Sequence, residues 1–385
     1  MAQRVEQIQR ISKMIQEFDA QGWHRTGTTA DQESAKWLVN MGQHLGVDLT
    51  LERFHLNRVA PRECYLEVGE RIIQGLPIFD GGFTAPEGIS GSIGFIGSSC
   101  QIGLDRVGRA SGPLGAEPNV EFQKNRRSKQ HEALVAVASG ESPGLMASNA
   151  PDFCQPFGLP VLQVSSEEEE WLTNQALNNS LAHLVISANR VDSESFNVTG
   201  SVAGRNSEAP PLIVMTPRSG WWQCASERGS GLACWLEVMR TMSRSRPYRD
   251  IIFVATSGHE LGLLGLDDFL ERRPSLVQKS HAWLHFGADI GRETRFSGTD
   301  EELRSQTSTI LSDAGVTPAT PTPPGITVGA ESQVVARAGG RVAAIVGHSP
   351  LFHLETDRWT EEIDADAISR VSTAFTNLAF QISRE

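Results

Sequence analysis

The spacing of hydrophobic positions changes along the chain and divides it into segments of different predicted structure. Near the amino terminus the spacing is helical, and a helix from about residue 4 to residue 18 is predicted from one apolar face: Val5, Ile8, Ile11 and Ile15. A second helix is predicted to begin with Asp31 as its cap and to end near Gly46. The next segment, LTLERFHL, alternates apolar and polar residues and is typical of a strand.

Glycine, proline and short β-prone pieces characterise residues 61–190. Two of these pieces read GSIGFIG and EALVAVASG, and a helix is predicted at about 166–178. We therefore predict an inserted β-rich domain at 61–190, which interrupts a larger domain made of residues 1–60 and 191–385.

Four unbroken apolar runs follow from Pro210 onward, and predicted helices separate them. The runs read PLIVM, DIIFVAT, HAWLHF and RVAAIV and are typical of buried strands. A helix is predicted at about 331–338, and an amphipathic helix closes the chain. This alternation predicts an α/β fold with a mostly parallel central sheet and helices on both faces. Because ligands bind beyond the carboxyl ends of such strands, the loops after the four runs are the candidate site.

These strand ends and loops carry the residue types that catalysis and metal binding need. The first three contribute Arg218, Trp221, Trp222 and Glu227, then His259 and Glu260, then His285 and Asp289. The fourth contributes His348, His353, Glu355 and Asp357. Carboxylates and imidazoles that converge at one edge of a sheet can bind zinc or act as acid and base.

The acidic composition and the cysteine pattern limit the partners and the compartment. The formal net charge is -12, and an acidic surface repels phosphate backbones, so a nucleic-acid partner is not expected. The basic cluster at 124–129 is interpreted as a solvated loop. No apolar run is long enough for a membrane span, and the amino terminus lacks the apolar core of a signal peptide. The cysteines are scattered without a CxxC pair, so we expect a cytoplasmic protein without a disulfide framework.

Several segments resemble the M28 family of zinc aminopeptidases. IIFVATSGHELGLLG resembles the family's strand, loop and helix onset, in which two adjacent glutamates follow the strand. ERGSGLACWLEVMRTM is similar to its Asp-Asn-Ala-Ser-Gly segment, and SPLFHLETDRWTEEID to its terminal segment with a histidine and an aspartate. NVTGSVAG and WHRTGT also fit, and residues 131–187 are similar to the protease-associated domain that many members insert. The resemblance implies the zinc-aminopeptidase fold.

Three of the family's metal-binding positions hold competent residues in this chain. The resemblance makes Glu260 the ligating glutamate, His353 the late histidine, and Glu227 the counterpart of the bridging aspartate. Together they imply one divalent ion in an open site. Zinc is expected because the ligands are mixed, although manganese or cobalt would also fit. The longer arm of Glu227 leaves another interpretation open, namely a pairing with Arg228 or Arg218.

The other half of the family's binuclear site is altered. The first-strand histidine corresponds to Pro217, which cannot bind metal, and its neighbouring aspartate to Ser219. The third-strand aspartate corresponds best to His285 and less well to Asp289, and the base glutamate corresponds to His259. We therefore expect one metal ion and not two. Glutaminyl cyclases, which are relatives with the same fold, also use a single zinc.

Three residues are assigned to catalysis. Arg218 lies beside the altered half, where its fixed charge would repel a second cation, and it is expected to hold a substrate carboxylate or an oxyanion. A surface salt bridge is its alternative role. His259 is expected to replace glutamate as the base, and His285 to be a fourth ligand or a proton donor.

Four further residues are assigned to substrate binding: Trp221, Trp222, Asp289 and His348. The two tryptophans would form an aromatic wall of the pocket or simply pack in the core. Asp357 is expected to orient His353 by a hydrogen bond or to cap the final helix.

These assignments predict a metal-dependent hydrolase of an amide or peptide-like bond in a small, specialised substrate. The alternatives are a non-hydrolytic enzyme on the same scaffold, such as a cyclase, lyase or isomerase, and a non-catalytic binding protein. The expected partner is a small molecule or a short peptide-like compound, with neither nucleic acid nor membrane. The sequence leaves the formation of a homo-oligomer open.

Overall fold

The computed structural model describes residues 2–108, 119–360 and 363–384. Its helices are α1 (Ala2–Asp19), α2 (Thr29–His44), α3 (Val120–Arg127), α4 (Glu169–Leu177), α5 (Gly229–Met242), α6 (Leu264–Glu271), α7 (Leu276–Lys279), α8 (Glu301–Asp313), α9 (Ala330–Arg337) and α10 (Ala365–Ile382). Its strands are β1 (Leu49–Val68), β2 (Arg71–Gln74), β3 (Leu76–Pro77), β4 (Ile89–Phe95), β5 (Ile102–Gly108), β6 (Ala133–Ser139), β7 (Val161–Val164), β8 (Leu181–Val202), β9 (Leu212–Pro217), β10 (Ile251–Thr256), β11 (Ala282–Phe286), β12 (Thr294–Gly298), β13 (Ala319–Pro321) and β14 (Val342–Val346).

The described strands form one continuous hydrogen-bonded sheet. Its main path runs β13-β12-β14-β11-β9-β10-β8-β4-β5-β6-β7-β3, and β1 pairs with β2 and β8. The four apolar runs of the sequence are β9, β10, β11 and β14, which pair in parallel at the centre of this path. Antiparallel β8 and β12 flank them. The predicted parallel centre is therefore confirmed, and its four carboxyl ends lie at one edge.

Alternate residues of β9 show that helices cover both faces of the centre. Leu212 and Val214 belong to a buried cluster that also takes side chains from α1, α5, α8 and α10. Ile213 and Met215 belong to another, with side chains from α6, α7 and α9. Because neighbouring strand residues point to opposite faces, a strand apolar throughout is buried on both sides. The predicted fold class, with helices on both faces, is confirmed.

The long strands β1 and β8 join the two parts of the chain. They pair antiparallel from Leu49 opposite Gly200 to Glu67 opposite His183. Both proposed domain boundaries, after residue 60 and before residue 191, lie within these strands. The division into two domains stays a prediction. The part between them contains the predicted helix, as α4, and a parallel β4-β5-β6-β7 arrangement.

Two local predictions from the sequence were wrong. The cap of α2 is Thr28, whose side chain accepts a hydrogen bond from the amide of Asp31, so Asp31 itself lies inside the first turn. The basic cluster is not wholly solvated, because Arg126 is buried and its Nη2 lies 2.8 Å from Oδ1 of Asp80. In both cases a charged side chain that was assigned a role within its own segment forms an ion pair with a residue distant in sequence.

The last helix, α10, buries the apolar face that its spacing predicted. The inward residues are Ile368, Val371, Phe375, Leu378 and Ile382. Together with α5 and α1, this helix covers the face of the sheet that carries Leu212 and Val214. Among the described helices, none combines the length and apolar character that crossing a bilayer requires.

Candidate active site

The candidate site lies where the loops after β9, β10, β11 and β14 meet. At its centre is Arg228, the residue directly before α5. Its Nη2 lies 2.8 Å from Oε1 of Glu227 and 2.8 Å from Oε1 of Glu260. All three side chains are buried. The guanidinium therefore occupies the space between two carboxylates where the sequence predicted a metal ion.

Ser219 fixes this arrangement from the loop after β9. Its carbonyl oxygen accepts a hydrogen bond from Nε of Arg228 at 2.6 Å. Its hydroxyl donates to Oε2 of Glu260 at 2.7 Å and accepts from the amide of Gly258 at 2.9 Å. From the family resemblance, Ser219 was expected only to replace an aspartate of the metal site. In the structure it links the loops after β9 and β10 and sets the direction of both charged side chains.

The charges in this cluster stabilise one another. Burial alone would raise the pKa of Glu227, but the positive charge of Arg228, together with the nearby imidazole of His353, holds it well below the ordinary range. Burial alone would lower the pKa of Arg228, but Glu227 and Glu260 raise it above its ordinary value. Glu227 is thus a carboxylate, and the alternative interpretation of the sequence, a pairing of Glu227 with Arg228, is what the structure contains.

His353 approaches the same cluster from the loop after β14. Its Nδ1 donates to the carbonyl oxygen of Ala147 at 2.8 Å, so its Nε2 carries a lone pair in the neutral ring. That Nε2 is 3.3 Å from Oε1 of Glu227. Nε2 of His353 has no hydrogen-bond partner among the described residues, and Oε1 of Glu227 has its ion pair with Arg228 but no hydrogen bond of good geometry. Trp222 donates from Nε1 to the carbonyl oxygen of His353 at 2.8 Å and so helps to hold the loop.

The donor set therefore fits a divalent ion chemically but is held apart by a resident cation. Glu227, Glu260 and His353 offer oxygen and nitrogen donors of the kind that zinc binds, and two of those donor atoms lack a hydrogen bond. However, the three do not form a compact ligand group in the described residues. Arg228 stands between the two carboxylates instead. A divalent ion can bind these three residues only if the guanidinium of Arg228 leaves the space between the carboxylates.

A different trio, Cys224, Glu227 and Asp357, does bring its potential ligand atoms within 4.8 Å of one another. Burial, together with the charges of Glu227 and Asp357, raises the pKa of the Cys224 thiol well above its ordinary value, so the thiol stays protonated. Asp357 already accepts hydrogen bonds from the amides of Ser226 at 2.8 Å and Glu227 at 2.9 Å. We interpret this trio as the support of the loop that carries Glu227.

The two roles expected of Asp357 are corrected by these contacts. The cap of α10 is Asp364, whose Oδ1 accepts from the amide of Ala367 at 2.9 Å. In its described hydrogen bonds, Asp357 holds the Glu227 loop and does not orient His353. Burial raises its pKa to about 7, and the nearby charge of Glu227 adds to that increase.

Arg218 does not reach the candidate site, so its expected catalytic role was wrong. Its side chain is fully buried, and Nη1 lies 2.9 Å from Oδ1 of Asp31. Its Nε and Nη2 donate to the carbonyl oxygen of Phe196 at 3.0 and 2.5 Å. The side chain points towards the start of α2 and not towards the loops that carry Glu260. Nor is it a surface salt bridge, the alternative role, because both partners are in the core.

A cleft of about 580 Å³ opens beside the Arg228 cluster. It is lined by Arg228, His259, His285, Asp289 and His348, among others. Four of these were predicted from the sequence to face the substrate or take part in catalysis, and the structure brings them into one cavity. His348 lies towards the rim, where its Nε2 is 2.8 Å from Oε2 of Glu141.

Glu331 is a residue of the cleft that sequence reasoning missed. It lies buried in the first turn of α9. Its Oε1 is 2.6 Å from Nδ1 of His259, and its Oε2 is 3.3 Å from Nε2 of His285. Burial alone would raise its pKa, but the charge and hydrogen bond of His259, with a further contribution from His285, hold it well below the ordinary range. Glu331 is thus an anion that contacts two imidazoles. Because it contacts His259 through Nδ1, Nε2 of His259 lies on the far side of the ring from Glu331.

The glycine before α9 makes this close approach possible. A Cβ atom at Gly329 would lie 2.4 Å from Cε1 of His285, and the residue has a φ of 80°. Any other residue would therefore meet both a steric clash and an unfavourable backbone conformation. Gly329 allows α9 to bring Glu331 against His285 of β11.

The two tryptophans differ in their surroundings. Trp222 is buried, hydrogen-bonded to the loop of His353 and in edge contact with Trp23, which agrees with a packing role. Trp221 lines a second cavity of about 400 Å³ that also touches Arg25 and Glu260. Neither tryptophan lines the cleft of His259. An aromatic wall therefore stays a prediction for Trp221, in the cavity beside Glu260, whereas Trp222 takes the alternative packing role.

Comparison with known proteins agrees with this architecture. Residues 208–379 match Peptidase family M28. Over 271 residues, which are 68% of this chain and 56% of the relative, the sequence is 25% identical to Aminopeptidase YwaD of Bacillus subtilis. The match thus spans little more than half of that curated relative. The chain also resembles the structure of BSAP, a zinc aminopeptidase from Bacillus subtilis, with a TM-score of 0.75 and 18% identity over 96% of this chain and 95% of that one.

Two other solved structures extend the likeness. A Peptidase M28 precursor from Shewanella amazonensis has a TM-score of 0.80 and 14% identity, covering 99% of this chain and 96% of that one. The glutaminyl cyclase of Fimbriiglobus ruber has a TM-score of 0.55 and 11% identity, covering 97% and 95%. At such identities the likeness shows the fold, which is that of the zinc aminopeptidases. The family match spans the four central strands, so this part of the chain is similar to Peptidase family M28.

Proposed function

We propose that this protein is a metal-dependent hydrolase of an amide or peptide-like bond in a small, specialised substrate, and that it uses one divalent ion, preferably zinc. The observation that carries the proposal is the placement of Glu227, Glu260 and His353 around Arg228 at the carboxyl edge of the parallel strands, beside a cleft. The match to Peptidase family M28 and the likeness to zinc aminopeptidases support the reaction class.

The altered half of the family's site supports one ion over two. Pro217, at the end of β9, offers no donor where the family has a histidine. Nε2 of His285 lies 3.3 Å from Oε2 of Glu331, so it faces a carboxylate other than the proposed ligands. Both features weaken the second position as a metal site.

The chain's own residues supply proton transfer and substrate placement. Glu331 accepts from Nδ1 of His259, which leaves Nε2 of His259 free to take a proton from water. A bound metal ion would lower the pKa of that water and polarise the carbonyl group. Asp289 and His348 line the cleft and can contact polar groups of the substrate. His285, which also lines the cleft, is a candidate donor to the leaving group.

The size of the cleft favours a small substrate. Its volume of about 580 Å³ falls within the range of about 300–1,000 Å³ that is usual for small-molecule sites. Single amino-acid derivatives and short peptide-like compounds have matching dimensions. The partner we propose is therefore a small molecule and not a folded protein or a nucleic acid.

A second candidate function follows from Arg228. A guanidinium between Glu227 and Glu260 satisfies both carboxylates without metal. The protein would then be a metal-free enzyme, such as a cyclase, lyase or isomerase in which His259 and His285 transfer protons, or a binding protein. Hydrolysis and these reactions differ in one product property, since only hydrolysis incorporates oxygen from water.

The test of the proposed function is activity with and without metal. A screen of aminoacyl and N-acyl amides is expected to give a hydrolysed product that is labelled in ¹⁸O water, lost with chelator and restored by zinc. The measurement is product mass together with the metal content of the active protein. Turnover that persists after exhaustive chelation, or a product without the label, would favour the second candidate.

The proposal places the protein in the cytoplasm. The cysteines Cys64, Cys100, Cys154, Cys224 and Cys234 are all free thiols, and only Cys154 is exposed. Free thiols are typical of a reducing compartment. Mass spectrometry of the protein from its native source, after rapid alkylation, is expected to find all five modifiable once the protein is denatured.

A further inference from the structure

The position of Arg228 has a consequence for metal binding. The guanidinium bridges Glu227 and Glu260 at 2.8 Å to each, and its Nε donates to the carbonyl oxygen of Ser219 at 2.6 Å. Three contacts from one buried group specify both its place and its orientation. The two carboxylates are also the oxygen ligands of the metal in the proposed function.

Arg228 and a divalent ion compete for the same space and the same charge. A pair of buried carboxylates without a cation is unfavourable, so one positive group has to be present. With the guanidinium in place, that requirement is already met. A divalent ion bound beside it would meet a fixed positive charge within a few ångströms in a buried environment. The two occupants are therefore mutually exclusive.

The cleft provides a place for the displaced side chain. Arg228 lines the 580 Å³ cavity that also contains Asp289 and Glu331. A long side chain that left the carboxylate pair could enter this volume without unfolding α5. Arg228 thus lies between the two carboxylates, which it contacts, and the substrate cleft, which it lines.

We propose that Arg228 is a tethered cation that occupies the metal position, so that a divalent ion binds Glu227, Glu260 and His353 only in exchange for the guanidinium. The protein as isolated is then metal-free at metal concentrations that saturate an ordinary zinc enzyme. This inference rests on the proposed function for its ligand set, and it adds that the affinity for metal is set by an internal competitor.

The test is a zinc titration by calorimetry of the apoprotein and of two variants. Arg228→Met keeps the length of the side chain and removes its charge, and it is expected to bind one zinc at least about 100-fold more tightly than the unmodified chain. Arg228→Lys keeps a cation and is expected to stay within about 10-fold of the unmodified chain. The double variant Arg228→Met, His353→Ala is expected to lose the gain, which assigns the zinc to this site.

A second measurement covers the case in which Arg228→Met folds only with metal. All proteins are then purified with zinc and dialysed against a weak chelator, and the retained zinc is counted. One equivalent is expected in Arg228→Met and none in the unmodified chain or Arg228→Lys. Melting temperature is expected to rise with zinc in Arg228→Met far more than in the other two.

Two results would overturn the inference. The first would leave the proposed function intact, whereas the second would also refute the proposed function. If the unmodified chain holds one zinc as tightly as Arg228→Met, Arg228 does not compete, and the metal-dependent hydrolase stands without it. If folded Arg228→Met binds zinc no better than the unmodified chain and neither binds it well, the ligand set itself is wrong. The proposed function then fails together with the inference.

Discussion

Replacing Arg218 by alanine is expected to lower the free energy of unfolding by about 3–5 kcal/mol, because it removes one partner of a buried ion pair and leaves the other charged. Both Arg218 and Asp31 are fully buried, and Nη1 is 2.9 Å from Oδ1. The substitution also leaves the carbonyl oxygen of Phe196 without two donors. Urea denaturation followed by far-UV circular dichroism measures the change.

The control for Arg218→Ala is the same substitution in an exposed pair. Arg4 lies 2.7 Å from Asp366, and their side chains are 51% and 36% exposed. Arg4→Ala is therefore expected to cost less than about 1 kcal/mol. If Arg218→Ala were as stable as Arg4→Ala but had lost turnover, the side chain would have a catalytic role after all and the buried pair would not be its function.

Asp31 explains why the Arg218 pair is central to the fold. Its Oδ2 accepts from the amide of Gly27 at 2.8 Å and from Oγ of Ser195 at 2.6 Å. Its Oδ1 accepts from Oγ of Ser257 at 2.9 Å. One carboxylate thus connects the start of α2, strand β8 and the end of β10. Removing Arg218, the cation that pairs with Asp31, therefore weakens the packing of all three elements and not only one contact.

Arg218 and Arg228 show where sequence reasoning reached its limit at this site. Both follow β9 within one loop, and both were candidates to pair with Glu227. Which of them faces the carboxylates depends on the path of that loop, which turns at Cys224 with a φ of 53°. A positive φ at a non-glycine residue is not encoded in hydrophobic spacing. The sequence identifies the charged residues but not the direction in which their side chains point.

The architecture, in contrast, followed from patterns that the sequence does carry. Buried parallel strands are apolar on both faces, so four short apolar runs separated by helices already define the centre of the sheet. The carboxyl ends of parallel strands lie at one edge, which brought His259, His285, Asp289 and His348 to one cleft. Glu331 escaped detection because it arrives on a helix after a proline-rich connection. Its position depends on the packing of α9 against β11, and the rule that strand ends carry the site residues does not apply to it.

Replacing Glu331 by glutamine is expected to lower kcat of the proposed hydrolase by about 10²–10⁴-fold while KM changes little. The carboxylate accepts from His259 on one oxygen and faces His285 with the other. A glutamine has one acceptor and one donor, so at least one imidazole must face an N–H group. Where that imidazole is His259, its Nδ1 becomes the acceptor and its Nε2 carries the proton, which prevents it from acting as the base. Steady-state kinetics measures the loss, and ¹⁵N shifts of the His259 ring report the tautomer.

The matched control for Glu331→Gln is the same change at a more exposed glutamate–histidine pair, in which only the histidine lines the cleft. Glu141 lies 2.8 Å from His348 at the rim, and its side chain is 51% exposed. Because solvent screens this pair, Glu141→Gln is expected to change kcat by less than about 3-fold. Equal effects of the two substitutions would indicate a general electrostatic influence of the cleft. A wild-type rate in Glu331→Gln, with the His259 tautomer altered as expected, would remove His259 from the role of base, since the proton would then be on the nitrogen that has to accept it.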